Sequence, residues 1–325
     1  MTGRDQERGA AYGGATYYGR PALKAPHWDW TVSGYIFLAG LSGAAQVLAW
    51  IGGLRDPERF RGALRNARLL ALAGTGAGAA LLVADLKTPS RFYNMLRILR
   101  PTSPMSFGSY VLTAFGASSV LAGLGELPAA RGRPAFRRVA GLAQGAAAMT
   151  GAGAATYTAA LLSATSNPYW AAAPRALGAK FAASAVAIGA AALALGERIG
   201  GRSHTAGRLE AVAAVATLAG MLATRSGDRR RRAVGLEAVL SGTPEHRLLK
   251  VGDLALAGAL PLAAYGLGRT IGGRAAPAAA VAGSLAVLAG GWLVRHAVLK
   301  LGKASSDRPE AHLGLARPEH LQTRR

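Results

Sequence analysis

Long apolar runs, separated by short basic segments, constrain this chain more than any other feature of its sequence. A helix needs about twenty apolar residues to cross the roughly 30 Å hydrocarbon core of a bilayer. Eight runs come close to that length, and none alternates as the strands of a membrane β-barrel do. Since backbone polar groups in lipid must be satisfied within a segment, the runs predict an all-α, polytopic integral membrane protein with about eight transmembrane helices in a bundle. The predicted spans are residues 31–51, 68–86, 107–127, 139–164, 174–195, 209–224, 251–267 and 276–301.

The distribution of charged residues along the sequence indicates which kind of partner the protein binds. A formal net charge of +22 also occurs in nucleic-acid-binding proteins. Here, however, the lysines and arginines lie between the apolar runs and in the tails, where they anchor helices against anionic headgroups. We therefore expect the lipid bilayer as a partner and no nucleic acid. We expect a multi-pass protein of the cell (inner) membrane, and the positive-inside rule predicts that both termini lie in the cytoplasm.

The runs divide the sequence into three parts. Residues 1–30 form an N-terminal interfacial tail that ends in Trp28 and Trp30, side chains typical of the membrane–water interface. Residues 31–301 form the transmembrane helical domain, and residues 302–325 form a polar C-terminal tail. The run of arginines at residues 229–232 is predicted to lie in a charged loop.

The segment between the second and third spans, residues 85–106, carries more specific chemistry than a passive loop needs. Asp85 lies at the end of the second span. Pro89 follows at a position where the backbone needs no N–H donor. Basic and apolar side chains then alternate, which predicts a short amphipathic helix on the membrane surface. They are Arg91, Arg97 and Arg100 among Phe92, Met95, Leu96 and Leu99.

Three stretches carry a resemblance to a known family. They are Trp28-Asp29-Trp30 leading to residues 35–43, Asp85-Leu86-Lys87-Thr88-Pro89-Ser90-Arg91-Phe92, and Asn94-Met95-Leu96-Arg97 through residues 103–109. In combination they resemble the NrfD/PsrC family, the integral membrane subunits of polysulfide-reductase-type oxidoreductases. Lys87-Thr88 departs from that family's Gly-Arg, and Tyr110 stands where a tryptophan is usual. The resemblance covers roughly the first 120 residues; beyond them only the hydropathy pattern is similar.

The resemblance implies a membrane anchor and quinone-binding subunit that is not catalytic alone. It would exchange electrons between an Fe–S ferredoxin-like partner and membrane quinone (menaquinone or ubiquinone), while a molybdenum or tungsten catalytic subunit carries out the substrate chemistry. The residues agree with this division of labour, because the sequence has no cysteine and so cannot hold an Fe–S cluster. Of its six histidines only His296 lies within an apolar run, so we expect no haem and no metal site.

A quinone headgroup needs hydrogen-bond donors in an apolar cleft and a route for protons. Asp85, Tyr35 and Tyr157 are the candidate catalytic residues, and with His27 and Arg295 they make up the predicted quinone-binding set. Each has an alternative role that the sequence leaves open. Asp85 can pair with Arg91 or be solvated at the interface, and the tyrosines can simply fill helix interfaces. His27 can be exposed in the tail, and Arg295 can extend to the headgroups or pair with an acid on another helix.

Two further groups of charged residues are candidates. Glu210 and Asp253 lie near the starts of two spans and are predicted members of a proton route or partners of Arg295, although both can equally be interfacial charges. The basic loop residues are predicted to dock the Fe–S partner or, alternatively, to contact lipid phosphates. They are Lys87, Arg91 and Arg97.

Two other functions remain open from the sequence. A secondary transporter would show internal repeats and broken helices around a midplane site, and the two halves of this sequence show no convincing repeat. A structural anchor without quinone chemistry would explain the few polar residues in the last four spans.

Overall fold

The computed structural model describes residues 23–100, 102–127, 133–271, 273 and 275–315, and this part of the protein is mostly helical with no strand. The predicted all-α class is therefore confirmed. Most of the predicted N-terminal tail, residues 1–22, and residues 316–325 of the predicted C-terminal tail lie outside the described residues. Eight long helices dominate: α1 Trp30–Arg55, α2 Pro57–Ala84, α3 Pro104–Gly123, α4 Pro134–Ser163, α5 Pro174–Ile199, α6 Ser203–Ala233, α7 Pro244–Thr270 and α8 Ala275–Ser306.

Seven helices in the described part of the protein are long and apolar enough to cross a membrane, all of the eight except α4. Helix α4 has 30 residues and packs along α1 and α3, so it has the length of its neighbours. Its sequence is rich in alanine and glycine, which bury little apolar area each and lower the hydropathy of the run. The protein is thus a multi-pass membrane protein with about eight helices.

The helices extend further than the apolar runs, and two predicted boundaries were wrong for that reason. Helix α2 begins at Pro57 because the Asp56 side chain accepts a hydrogen bond from the Arg59 amide and caps the helix. Helix α6 continues to Ala233, so the arginines at residues 229–232 lie in a helix and not in a loop. Hydropathy marks only the part of a helix in lipid, whereas caps and proline set where the helix ends.

The described residues of the predicted polar C-terminal tail are helical and partly buried. Helix α8 ends at Ser306, and a short helix, Pro309–Leu315, follows it. Ala311 and Leu315 from that helix are buried in the main hydrophobic core. These residues therefore belong to the packed domain.

The eight helices form two groups of four. We call α1–α4 the first bundle and α5–α8 the second bundle; α1 and α5 pack against each other where the bundles meet. Glycine permits the closest approaches. A Cβ atom on Gly43 of α1 would overlap the carbonyl oxygen of Gly151 in α4, so the two backbones are in direct contact there.

Contacts between helix ends define two faces of the molecule. Where α1 begins and α2 ends, Thr31 contacts Asp85, and where α8 ends, Lys303 donates to the Trp28 carbonyl. We call this side, with the loop at residues 85–106, the loop face. On the opposite side, the distal face, the buried Glu197 carboxylate accepts hydrogen bonds from Arg202 and Asn66 and joins α5 to α2.

The loop at residues 85–106 is less regular than predicted. It contains a 3-10 turn, Pro89–Arg91, and a single helical turn, Asn94–Arg97, in place of one amphipathic helix. The Tyr110 hydroxyl of α3 donates to the Leu96 carbonyl at 2.7 Å and holds the loop over the first bundle. Pro101 lies outside the described residues.

Candidate functional site

A cavity of about 300 Å³ lies in the first bundle between α1, α2 and α3, directly under the loop. Its walls are almost entirely apolar, and three loop side chains, Phe92, Met95 and Leu96, form its roof. Small residues of α2 and α3 make room for it, since each larger side chain would occupy part of the space. The glycines that line it are Gly74, Gly78 and Gly116.

The hydroxyl groups in the cavity wall differ in what they can offer a ligand. Thr75 donates to the Ala71 carbonyl, Ser109 to that of Met105, and Thr113 to that of Ser109. Each of these hydrogen atoms is therefore used within its own helix. Tyr35 of α1 is the remaining hydroxyl group in the cavity lining among the described residues.

Tyr35 and Tyr157 form a pair of phenols across the first bundle. Their hydroxyl oxygens are 2.9 Å apart, although the residues are 122 positions apart in the sequence. Tyr35 is buried, with 5% of its surface exposed. Since one hydroxyl donates to the other, the pair retains one hydrogen atom for a third group.

The ring of Tyr157 is fixed by close packing. A Cβ atom on Gly108 of α3 would overlap Cε2 of that ring, so only glycine allows α3 to approach so closely. Two of the three predicted catalytic residues are thus brought together by three helices, with Tyr35 in the cavity lining and Tyr157 behind it.

Asp85, the third predicted catalytic residue, lies at the edge of this arrangement. It ends α2, next to Leu86 of the cavity wall, and the Thr31 hydroxyl lies 3.1 Å from its Oδ1. Thr31 also contacts Asp29, and these hydrogen bonds hold the pKa of the Asp29 carboxyl below its ordinary value because they stabilise the charged form. No ion pair joins Asp85 to Arg91 in the described structure, so that predicted pairing was wrong.

His27 lies outside the cavity lining. It is exposed in the extended segment before α1. The next residue, Trp28, stacks on Trp170 with ring centroids 5.7 Å apart and accepts a hydrogen bond from Lys303. These contacts hold the segment against α8 and away from the cavity.

Arg295 is also remote from the cavity lining, and it does not extend to the headgroups. Only 1% of it is exposed, and its Nη1 donates to Ser184 and to the Gly291 carbonyl, each at 2.9 Å. Its Nη2 faces Gly40 of α1, and its guanidinium lies over the Phe181 ring. Among the described residues no carboxylate is within ion-pair distance, so the predicted pairing with an acid was wrong.

The two acids of the predicted proton route have other partners and lie apart. Glu210 pairs with Arg198, Oε1 to Nε 2.5 Å, near the distal face. Asp253 pairs with Lys180, Oδ2 to Nζ 2.9 Å, on the loop-face side of the second bundle. The structure therefore does not bring Glu210 and Asp253 together.

The predicted docking residues Lys87, Arg91 and Arg97 are all exposed on the loop face. Large apolar side chains are exposed between them, with Leu99 62% and Tyr93 54% exposed. The loop thus presents a mixed basic and apolar surface directly above the cavity.

Sequence reasoning missed the roof of the cavity. An amphipathic helix on the membrane surface would direct Phe92, Met95 and Leu96 toward lipid. In the structure these three side chains line the cavity. The alternation of these apolar residues with arginines was the sequence feature that could have indicated the cavity roof. Among the described residues, no three His, Asp or Glu side chains come together as a metal site.

Comparison with known proteins gives two matches. A family model described as "Polysulphide reductase, NrfD" matches residues 22–305. The C subunit of polysulfide reductase from Wolinella succinogenes is 34% identical over 92 residues, which is 27% of this protein and 29% of that one. The aligned part thus spans less than a third of the relative.

Proposed function

This protein belongs to the NrfD family of polysulphide reductase membrane subunits, and we propose that its first bundle binds a membrane quinone in the cavity under the loop. Electrons would pass between that quinone, menaquinone or ubiquinone, and a partner protein on the loop face. The protein would act as the membrane anchor of a reductase complex and would have no catalytic activity without its partners.

The observation that carries the proposal is the phenol pair at an apolar cavity. A volume of about 300 Å³ is at the lower end of ordinary small-molecule sites. Such sites combine apolar walls with a few placed polar groups that fix the orientation of the ligand. Tyr35 is the group in the wall that can donate to a quinone carbonyl oxygen, and Tyr157 holds its hydroxyl in place.

The protein's own residues supply hydrogen bonding and proton positioning at this site. Bound quinone supplies the two-electron, two-proton chemistry. The Tyr35 hydroxyl would orient a carbonyl oxygen, and the hydrogen bond to Tyr157 would let a proton shift between the two phenols. Asp85, at the end of α2, would exchange protons with water on the loop face.

The absence of cysteine, which leaves no thiolate to bind an Fe–S cluster, supports a separate protein as the electron donor or acceptor. We propose an Fe–S ferredoxin-like subunit docked on Lys87, Arg91 and Arg97, with a molybdenum or tungsten catalytic subunit beyond it. Docking there would place a cluster above the cavity roof, which shortens the path to the quinone.

Filling the cavity tests the site without touching a polar group. Gly116 of α3 lines the cavity and has open space in front of it, so Gly116→Leu should block quinone binding. Gly76 of α2 also has open space but does not line the cavity, so Gly76→Leu is the matched control. Quinone extracted from the complex purified in mild detergent measures the effect.

The expected result is loss of bound quinone and of quinone turnover in Gly116→Leu, with wild-type values in Gly76→Leu. Equal quinone content in the two variants would exclude the cavity as the site. Full quinone turnover in both Asp85→Asn and Tyr157→Phe would remove the assignment of these residues.

We also propose the inner membrane as the location, with the termini and the loop face in the cytoplasm, from the distribution of basic residues. The natural absence of cysteine allows a clean test with single cysteines. Arg91→Cys on the loop face and Arg55→Cys on the distal face should react with an impermeant thiol reagent from opposite sides of the membrane. Reaction of Arg91→Cys from the periplasmic side would reverse the assignment.

A further inference from the structure

The second bundle contains a buried ion pair that the quinone site does not use. Lys180 of α5 and Asp253 of α7 are 7% and 9% exposed in their side chains, and Nζ lies 2.9 Å from Oδ2. Lys180 also donates to the Thr224 hydroxyl of α6 at 3.0 Å. Ionisable groups at membrane depth are costly and mark ion or proton pathways more often than structural sites.

Asp253 lies in an irregular part of α7. Residues Val251–Ala259 form a π-helical segment. Pro261 follows it; because proline has no N–H and its ring crowds the carbonyl four residues earlier, it disturbs the regular hydrogen-bond ladder at that point. Such π segments occur frequently at functional sites.

Two cavities meet at Asp253. The outer cavity, of about 190 Å³, is lined mainly by charged and polar side chains of the loop face. The inner cavity, of about 20 Å³, lies deeper between α5, α6, α7 and α8. Asp253 lines both, so its carboxylate separates the loop-face pocket from the membrane interior.

The inner cavity has the size and lining of a single-water site. A water needs about 10–15 Å³ of accessible volume and two to four polar partners. Thr217 Oγ1 in this lining is buried without a hydrogen-bond partner among the described residues, and Asp253 Oδ2, paired with Lys180 Nζ at 2.9 Å, can accept a second hydrogen bond. Ser184, which accepts from Arg295, and Lys180 also line it. One water there can reach the carboxylate and the hydroxyls together.

Polar groups continue from this cavity toward the first bundle. Arg295 Nη1 donates to Ser184, while its Nε and Nη2 have no partner among the described residues. Nη2 faces Gly40 of α1, and the adjacent Ala39 lines the quinone cavity. The series of polar groups thus ends against the helix that carries Tyr35.

We propose that Asp253 is a proton-binding site that loads from the loop face and serves the quinone cavity through water in the inner cavity, beside which the permanently charged Arg295 orients Ser184. A proton enters from the outer cavity and neutralises the carboxylate while Lys180 keeps its ammonium charge. It then leaves through the water toward α1 when quinone is reduced, and quinol oxidation reverses the direction. This inference rests on the proposed quinone function.

The charged surroundings of Asp253 come from every element that packs around it. Glu237 is held ionised: burial alone would raise its pKa, but the hydrogen bond and charge of Arg232 hold that pKa below the ordinary value. Glu237 therefore remains a fixed charge in the outer cavity. The titratable and charged groups facing Asp253 in the two cavities, with Arg295 behind Ser184, are Tyr169, Lys180, Asp228, Arg231, Arg232, Glu237, His246 and Lys250.

The direct test is modification by dicyclohexylcarbodiimide, which reacts with carboxyl groups that carry a proton in apolar surroundings. The purified complex is treated with the reagent and digested, and labelled peptides are identified by mass spectrometry. Asp253 should be labelled. Glu210 is the internal control, because Arg198 contacts both of its carboxylate oxygens, and it should stay unlabelled.

Function is tested with the double variant Lys180→Met/Asp253→Asn. Removing both charges avoids leaving one of them buried alone, so the fold is preserved better than in either single variant. Quinone content should match the wild type, while quinone turnover should fall by about 10²-fold, the lower end of what a positioned proton donor contributes. Thr217→Val, which removes one partner of the inner water, should lower turnover by a smaller factor.

The outcomes separate this inference from the proposed function. An unlabelled Asp253, or a double variant with wild-type turnover and normal quinone content, would overturn the proton site and leave the quinone site standing. A labelled Asp253 in a complex that binds no quinone would support the proton site and overturn the quinone function, along with the link between them.

Discussion

The first and second bundles are similar in length and helix number, but they place their polar groups differently. The first bundle surrounds an apolar cavity of about 300 Å³, and the Tyr35 phenol in its wall is hydrogen-bonded to Tyr157. The second bundle holds the buried Lys180–Asp253 pair and cavities lined by charge. The proposed quinone reaction needs both space and charge, and separate halves of the protein provide them. The first bundle should therefore respond most to changes of shape and the second to changes of charge.

Breaking the buried ion pair should give the largest effect on stability. Either Lys180→Met or Asp253→Asn leaves one charge buried without its partner, which costs about 3–5 kcal/mol. The double variant removes both charges and should be close to the wild type. Thermal unfolding in detergent measures all three, and additive losses in the double variant would show that the two residues are not coupled.

The second-largest effect on stability should come from a change of shape beside the Tyr35–Tyr157 phenol pair. Gly108→Ala places a Cβ atom inside contact distance of the Tyr157 ring, and such overpacking costs about 1–3 kcal/mol. It should also displace the ring and lower quinone content. Gly116→Ala in the same helix adds a methyl group to open space and is the control for stability. Equal melting temperatures for the two variants would contradict the close packing of α3 against α4.

Removal of one phenol hydroxyl should have a small effect on stability and a large one on function. Tyr157→Phe loses one hydrogen bond, worth about 0.5–1.5 kcal/mol. Quinone turnover should fall much more, since the Tyr35 hydroxyl loses the group that orients it. Tyr265→Phe in the second bundle removes a similar bond to Ser284 and is the matched control. Its quinone turnover should match the wild type.

Neutralising the loop arginines should change stability least. Arg91→Gln and Arg97→Gln alter exposed side chains, so unfolding should shift by no more than about 0.5 kcal/mol. The affinity for the Fe–S partner should fall and lose part of its salt dependence. Arg55→Gln, an exposed arginine on the distal face, should change neither. A partner affinity that is unchanged in the loop variants would assign these arginines to lipid phosphates.

The sequence by itself determined the class of protein, the approximate spans and the importance of the loop. Runs of about twenty apolar residues leave helices as the plausible structure, because lipid offers no partners for backbone groups. The need of a quinone headgroup for hydrogen-bond donors and a proton route in an apolar cleft selected Tyr35, Tyr157 and Asp85 as candidate site residues. Nothing in the sequence, however, placed Tyr35 beside Tyr157.

Only the tertiary structure decided which polar groups meet. A membrane helix is apolar on most sides, so its sequence fixes its length but only weakly its rotation about its own axis. Arg295 was expected in the quinone site or beside an acid, and the rotation of α8 directs it at Ser184 and Gly40 instead. Asp253 meets Lys180 for the same reason. Helix rotation and close glycine contacts therefore set the chemistry of each bundle, because they decide which side chains share an interior.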